Sequence, residues 1–351
     1  MNIISGTRLT LNKTVATDHV WIKDLRENDQ VQGLYVVRQK KTGVTRKGDP
    51  FVSIILADRT GEIEARIWDN AGELGALFKE GDVVKITGTV SSYRDQIQLT
   101  VSALEPWQGK VDASMFMEST PKDVAQMLAS LINILQEIGN SELKKLIQRF
   151  INDAKFVERF KKAPAAKHFH HSYLGGLLEH TLAVCKLARM VSSHYPELDR
   201  DLLIAGAFLH DIGKLKELSY DLHIDYTDEG RLEGHLVLGC AMLEEKISQI
   251  RGFPAELALR LKHMILSHHG EFEFGSPKRP KFKEAFALHL IDDLDAKMNG
   301  LGRLMEKDTR EGPWTGYNRL FERYFLKGKM ELARGAEAVE EAADDLQERL
   351  F

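Results

Sequence analysis

AFLHDIGK occupies residues 207–214, at the end of an apolar run that includes Leu202, Leu203, Ile204, Ala207 and Phe208. A run this apolar predicts a buried helix, and the helix delivers His210 and Asp211 side by side at its end, where Gly213 permits a close backbone turn. An adjacent imidazole and carboxylate can hold one metal ion or bridge two. Alone, the pair reads equally well as a histidine hydrogen-bonded to its neighbour. The rest of the chain weighs against that reading, because 12 of the 13 histidines lie between His168 and His289. His180 ends GGLLEH, His235 opens a helix in EGHLVLG, His268 and His269 stand together in ILSHHGE, and Asp292 sits in LHLIDDLDA. These stretches fall on different predicted helices, and facing helices are how a bundle builds a metal centre in its core. The set is too large for one tetrahedral zinc and suits two octahedral divalent ions, with water in the remaining positions. His180, His210, Asp211 and Asp292 fall to the first ion, and Asp211 bridges to a second held by His235, His268 and His269.

The helical pattern extends outward from this motif, with candidate helices at 121–137, 141–153, 173–193, 199–209, 235–250, 254–268, 281–299 and 314–327. Thr120 is expected to cap the first of them, with Pro121 in its first turn. Upstream the character changes. VQGLYVVR (31–38), FVSIILAD (51–58), EIEARIW (62–68), VVKITGTVSSY (83–93) and IQLTVSALEP (97–106) are rich in β-branched residues, with partial alternation. Asp58-Arg59-Thr60-Gly61 and Lys79-Glu80-Gly81-Asp82 read as turns. Five short strands are too few for a two-sheet sandwich and fit a small oligonucleotide-binding (OB) barrel. The sequence therefore predicts an α+β multidomain protein: a barrel domain at 1–106, a linker at 107–120, a helical domain at 121–330 and a tail at 331–351. The tail carries seven acidic residues against two arginines.

Composition narrows the class without naming it. The 351 residues carry 48 Lys+Arg against 52 Asp+Glu, a net charge of -4, which excludes a wholly basic nucleic-acid coat protein but not a local basic groove. The two cysteines, Cys185 and Cys240, sit in helix-like apolar surroundings outside any CxxC pair, so a disulfide framework or thiolate zinc is not expected. The N-terminus lacks the apolar block of a signal peptide, and no stretch reaches the roughly 18 apolar residues of a membrane span. A cytoplasmic protein without a membrane segment is expected.

The order of His180, the His210-Asp211 pair and Asp292 resembles the HD superfamily of metal-dependent phosphohydrolases over most of residues 165–300. The resemblance implies a core site of His180, His210, Asp211 and Asp292, with His235, His268 and His269 matching the histidines that two-metal branches add. Lys214, the lysine of HDIGK, then faces substrate phosphate, so that Asp211 and Lys214 are the catalytic pair. A one-metal enzyme with His235 or His268 on substrate stays open, as does Asp293 or Asp295 in place of Asp292, although Asp295-Ala296 resembles the structural end of the family's DxxDA segment. Barrel followed by HD domain, with HHSYLGGLLEHT (170–181), HDIGK (210–214) and SHHG (267–270), resembles the YhaM family of 3'-to-5' exoribonucleases over about residues 10–320. That likeness implies manganese-dependent shortening of single-stranded RNA, in some cases DNA, with release of nucleoside monophosphates by a homo-oligomer. The ions are expected to be Mn²⁺, with Fe²⁺ or Co²⁺ accepting the same mixed ligands.

Candidate substrate contacts follow. On the barrel, Tyr35, Phe51, Trp68, Tyr93 and Arg94 offer stacking and charge, with Arg38, Lys40, Lys41, Arg46 and Lys47 around one loop. Strand register is open, so Phe51 and Trp68 read equally as core. Lys278, Arg279, Lys281 and Lys283 form a second basic run between HHGE and the Asp292 helix, near the expected catalytic mouth. His170 and His171 are donors to phosphate or ordinary surface groups, and Glu271 is a candidate to orient an imidazole or water. His194, His223, His263 and His289 read as incidental or supporting. An HD enzyme acting on a small nucleotide or cyclic dinucleotide, and a non-catalytic nucleic-acid-binding module, are the competing readings.

Overall fold

Val, Ile and Thr crowd residues 31–104, and the strands they form curl into a closed barrel. The computed structural model describes residues 19–328 apart from 46, 94, 95, 168 and 169, and the acidic tail and Arg94 lie outside the described residues. The strands β1 (Gln30–Val44), β2 (Pro50–Asp58), β3 (Gly61–Ile67), β4 (Val83–Tyr93) and β5 (Gln96–Pro106) close in the order β1-β2-β3-β5-β4. All neighbours are antiparallel except β3 and β5. A break in register between Val37 and Gln39 falls where β1 passes from pairing with β4 to pairing with β2, and such a bulge bends the strand enough to serve both partners. The turn after β2 is fixed by Asp58, which accepts from Thr60 N at 2.6 Å and Ile22 N at 2.8 Å. One short helix, α1 (Ala71–Ala76), lies between β3 and β4 and was not anticipated.

β1 is covered on both faces. Val31, Tyr35 and Val37 point into the barrel core with Ile54, Leu56, Ile86 and Leu99, while Leu34 and Val36 join Ala57, Val83 and Phe116 outside it. Phe116 belongs to the segment 107–120, which is folded: it carries a 3₁₀ turn (Ala113–Met115), and Arg59 N donates to the Met115 carbonyl at 2.8 Å.

The helices follow as α2 (Val124–Gln136), α3 (Ser141–Ile151), α4 (Ala154–Lys162), α5 (Gly176–His194), α6 (Arg200–Leu209), α7 (Lys214–Glu217), α8 (Asp228–Leu232), α9 (Gly234–Ser248), α10 (Ala255–Ser267) and α11 (Lys283–Lys307), with a small hairpin of β6 (Leu218–Ser219) and β7 (Asp225–Tyr226) after α7. Thr120 does not cap α2. Asp123 does, accepting from Gln126 N at 3.0 Å, while the Thr120 hydroxyl donates to Glu179 at 2.6 Å. α4 was unforeseen because Asp153, at the end of the expected 141–153 helix, caps a second one by accepting from Lys155 N and Phe156 N. The core gathers Leu131, Phe150, Phe160, Leu178, Leu203, Phe208 and Ile265.

Contacts divide the chain into two compact units, Met1–Asp292 and Asp293–Phe351. Within the second, residues 314–327 are not the expected helix. Trp314 pairs with Leu326 and Asn318 with Arg323, and the Asn318 side chain accepts from Leu320 N and Phe321 N, a turn that local side-chain bonding favours over helix.

Candidate metal centre

Glycines set how closely the site's supports approach. A Cβ on Gly176 would stand 2.0 Å from the His171 carbonyl oxygen, so glycine alone lets the His170-His171 turn fold back onto the start of α5, the helix of His180. Gly213 has ordinary helical angles, φ -61° and ψ -25°, so the turn after His210-Asp211 does not use its backbone freedom. A Cβ there would meet the His235 carbonyl oxygen at 1.9 Å and the Gly239 nitrogen at 2.6 Å. Its absence lets the HDIGK turn lie against α9, which carries His235. His268 and His269 follow α10, and Asp292 lies in α11.

These side chains meet in two groups joined by one carboxylate. His180 Nε2 is 3.2 Å from His210 Nε2 and 3.1 Å from Asp292 Oδ1. His235 Nε2 is 3.2 Å from His269 Nε2, and both group with His268. Asp211, 1% exposed, lies between the groups: Oδ2 is 3.5 Å from His180 and 3.4 Å from His210, and Oδ1 is 3.7 Å from His235 and 3.5 Å from His268. Asp292, rather than Asp293, meets the imidazoles, and Asp293 is paired with Lys297 at 2.7 Å.

The opposite ring nitrogens report which atoms are free to ligate. His210 Nδ1 lies 2.8 Å from the Ala207 carbonyl, His268 Nδ1 2.8 Å from that of Ile265 and His269 Nδ1 2.9 Å from that of Phe274, while His235 Nδ1 is 3.0 Å from Glu217 Oε1. Each of these acceptors demands a proton on Nδ1, which leaves a lone pair on Nε2. Lone pairs then face each other at 3.2 Å between His235 and His269, and Asp211 Oδ1 is buried with no hydrogen-bond partner among the described residues. Such a donor set is repulsive by itself and fits divalent cations of mixed nitrogen and oxygen ligation.

Charge supports the same assignment. Burial alone would raise the Asp211 carboxyl, but Lys214 holds it well below the usual carboxylate range. Burial likewise opposes ionisation of Asp292, which the His180 ring beside it reverses. His269 is pushed down to about 3, first by burial and then by His268 and His235, and His170 to about 3, first by burial and then by Lys214, so both rings are neutral near pH 7.

Other expected contacts stand differently. Lys214 is buried and donates to Asp211 Oδ2 at 2.6 Å. The His170 and His171 rings lie 5.3 and 5.4 Å from that of His180, and His171 Nδ1 is 2.9 Å from the Tyr173 hydroxyl. Glu271 pairs with Arg279 at 2.5 Å, and Lys278 is exposed. His289 supports the centre, its Nδ1 2.8 Å from the His268 carbonyl, and His263 accepts from Lys281 N.

On the barrel, Tyr35 is a correction: it is 1% exposed inside the core, its hydroxyl donating to the Val20 carbonyl at 2.6 Å, and it offers no stacking face. Lys40 is tied to the Gly75 and Phe78 carbonyls and Arg38 to the Phe116 carbonyl. Phe51 and Trp68 do reach the surface, with ring centroids 5.3 Å apart and the Arg66 guanidinium over both. Tyr93 ends β4.

Two features of the site carry little signal in the sequence. Glu217 holds His235, and its only signal was a carboxylate one turn beyond Lys214. Its bonds to His235 hold it below its ordinary pKa although burial would raise it. Phe272 and Phe274 are exposed on the 3₁₀ turn after His269, foreshadowed only by FEF following HHGE.

A closed five-stranded barrel ahead of a helical domain with paired histidine groups on a shared aspartate defines an OB-fold protein of the HD phosphohydrolase class. The OB-fold nucleic acid binding domain matches residues 35–107, and the HD domain matches residues 177–297. The 3'-5' exoribonucleases YhaM of Bacillus velezensis and Bacillus subtilis are each 36% identical over 289 residues, covering 82% of this chain and 91% of theirs. That of Halalkalibacterium halodurans is 35% identical over 281 residues, 80% of this chain and 87% of its own. The chain belongs to the YhaM family of 3'-5' exoribonucleases.

Proposed function

We propose that this chain is a 3'-to-5' exoribonuclease that uses two divalent ions, Mn²⁺ by preference, to hydrolyse single-stranded RNA, with DNA as a second substrate, and releases nucleoside monophosphates. The observation that carries the reading is Asp211, whose two oxygens face different histidine groups. His180, His210, Asp211 and Asp292 would hold one ion, and His235, His268, His269 and Asp211 the other. Bound there, the ions would supply Lewis acidity to the phosphodiester and an activated water for in-line attack. The chain's own groups do the rest. Lys214 compensates the charge of Asp211 and adds a fixed positive charge beside the phosphate. His170, neutral near pH 7, serves as a hydrogen-bond partner to phosphate rather than as a cation. Hydrolysis breaks the bond between phosphorus and the 3' oxygen, leaving a 3'-hydroxyl on the shortened strand.

Residues 1–106 hold the strand through Trp68, Phe51 and Arg66, and residues 121–330 carry the hydrolase, with 107–120 joining them. Exposed Phe272 and Phe274, beside His269, add a stacking surface at the site. A homo-oligomer in the cytoplasm completes the reading. Exposed Leu294, Met298, Trp314, Leu320 and Tyr324 support self-association, since large apolar surface of this kind is what a second copy covers.

Digestion of 5'-labelled RNA and DNA in a series of divalent ions tests the reaction. The expected result is a ladder shortening from the 3' end with mononucleotide release, fastest with Mn²⁺. Turnover of a small nucleotide or cyclic dinucleotide with intact RNA would overturn it.

A further inference from the structure

Among His210, His235, His268 and His269, three give the Nδ1 proton to main-chain carbonyls and one, His235, gives it to a carboxylate. Glu217 Oε1 takes both the His235 ring Nδ1–H and the His235 backbone N–H, each at 3.0 Å. A single oxygen thus fixes the ring's tautomer, the ring's rotation and the first turn of α9.

Glu217 is itself held in place. Its backbone nitrogen donates to the Gly213 carbonyl at 3.0 Å, and its carbonyl accepts from Thr227 N at 2.9 Å. Gly230 packs so closely that a Cβ there would stand 2.2 Å from the same carbonyl oxygen. The side chains of Glu217 and His235 are only 11% and 12% exposed, so water does not substitute easily for either bond. A carboxylate on Nδ1 also makes Nε2 a stronger base than a carbonyl partner does. His235 is therefore the most electron-rich ligand of the His235–His268–His269 group.

We propose that Glu217 is a positioning residue: it orients and polarises His235 and so sets the affinity of that one histidine group for its divalent ion, leaving the donors of the His180–His210–Asp292 group in place. The inference rests on the two-ion reading above. Losing an outer carboxylate of this kind weakens metal binding by roughly 10–100-fold.

The test is titration of the metal-stripped full-length protein with Mn²⁺ by calorimetry, and with Co²⁺ by visible absorption, for wild type, Glu217→Ala, Glu217→Gln, His235→Ala and the Glu217→Ala/His235→Ala double variant. Wild type is expected to show two binding events. Glu217→Ala should weaken one of them roughly 10–100-fold and the other, coupled to it only through Asp211, by less. Glu217→Gln, which keeps an acceptor oxygen and the same shape, should weaken the same event less, and it carries the test if Glu217→Ala does not fold by circular dichroism. In the His235→Ala background, Glu217→Ala should add nothing, because Glu217 acts through that ring. Two wild-type events that neither Glu217 variant alters would overturn the inference alone, as would an equal further loss in the His235→Ala background. A single event in the wild type would overturn the two-ion reading and this inference with it.

Discussion

Gly213→Ala puts one methyl group where HDIGK packs on α9. The backbone at 213 is helical, so conformational preference by itself favours alanine by about 0.5–1 kcal/mol. Sterics oppose it. The new Cβ would lie 1.9 Å from the His235 carbonyl oxygen and must reach an ordinary 3.4 Å contact, a shift of about 1.5 Å. The second obstacle, the Gly239 nitrogen at 2.6 Å, is also backbone, so no side-chain rotation relieves the clash. Overpacking of this kind costs about 1–3 kcal/mol, which leaves a net destabilisation of up to about 2.5 kcal/mol after the gain in propensity. For a helical region of this size, that lowers the melting temperature by up to about 10 °C. The same shift moves His235 by more than the ~0.5 Å that a preorganised site tolerates, so affinity for one divalent ion should fall at least about tenfold. Thermal melts of the metal-free protein and Mn²⁺ titrations read the two effects separately. Gly72→Ala on α1, where a Cβ would meet nothing within 4 Å, is the control and should be neutral or slightly stabilising. A Gly213→Ala protein that melts with wild type and binds Mn²⁺ equally well would refute the packing argument.

Further expectations concern the barrel, the imidazoles and the buried ion pair. Trp68→Ala should weaken binding of a long single strand by about 1–3 kcal/mol, read by fluorescence anisotropy, with little change in hydrolysis of a dinucleotide; equal losses on both would remove the barrel from substrate binding. Tyr35→Phe should leave strand binding alone and cost about 0.5–1.5 kcal/mol in urea unfolding, through the lost bond to the Val20 carbonyl. His269 has an ordinary pKa of 6.5 and is pushed down to about 3 in the fold, so the unfolded chain takes up a proton that the folded chain refuses between those values. Stability of the metal-free protein should therefore fall as pH drops from 6.5 toward 3, seen as a lower urea midpoint at pH 5.5 than at 7.5; an unchanged midpoint would count against a buried neutral ring. Lys214→Met removes the charge facing Asp211 and should lower activity on RNA strongly while a folded protein remains; wild-type turnover would exclude Lys214 from the reaction.

What was legible in the chain divides along physical lines. The five strands were readable because β-branched residues and Gly-containing turns mark them directly, and the histidine groups because adjacent residues at helix ends leave few ways to point. Tyr35 was misplaced because Leu34, Tyr35, Val36 and Val37 are all buried, so alternation gives no hint of which face is the barrel interior. The segment 314–327 mimicked a helix through the spacing of Tyr317, Leu320, Phe321 and Tyr324, while the turn chemistry of Asn318 decided otherwise. α1 escaped notice because AGELGA is six residues long with two glycines. Gly213 was rightly singled out and for the wrong reason, since only the tertiary neighbour, α9, explains it. Glu217 has only a weak sequence signal for the same cause: its partner His235 is 18 residues away, and no periodicity connects them.

The most direct measurement is a crystal of the full chain grown with Mn²⁺, with an anomalous difference map collected at the manganese edge. The account predicts two peaks flanking Asp211, one among His180, His210 and Asp292 and one among His235, His268 and His269. A single peak, or peaks that leave either Asp211 oxygen without a metal neighbour, would contradict it.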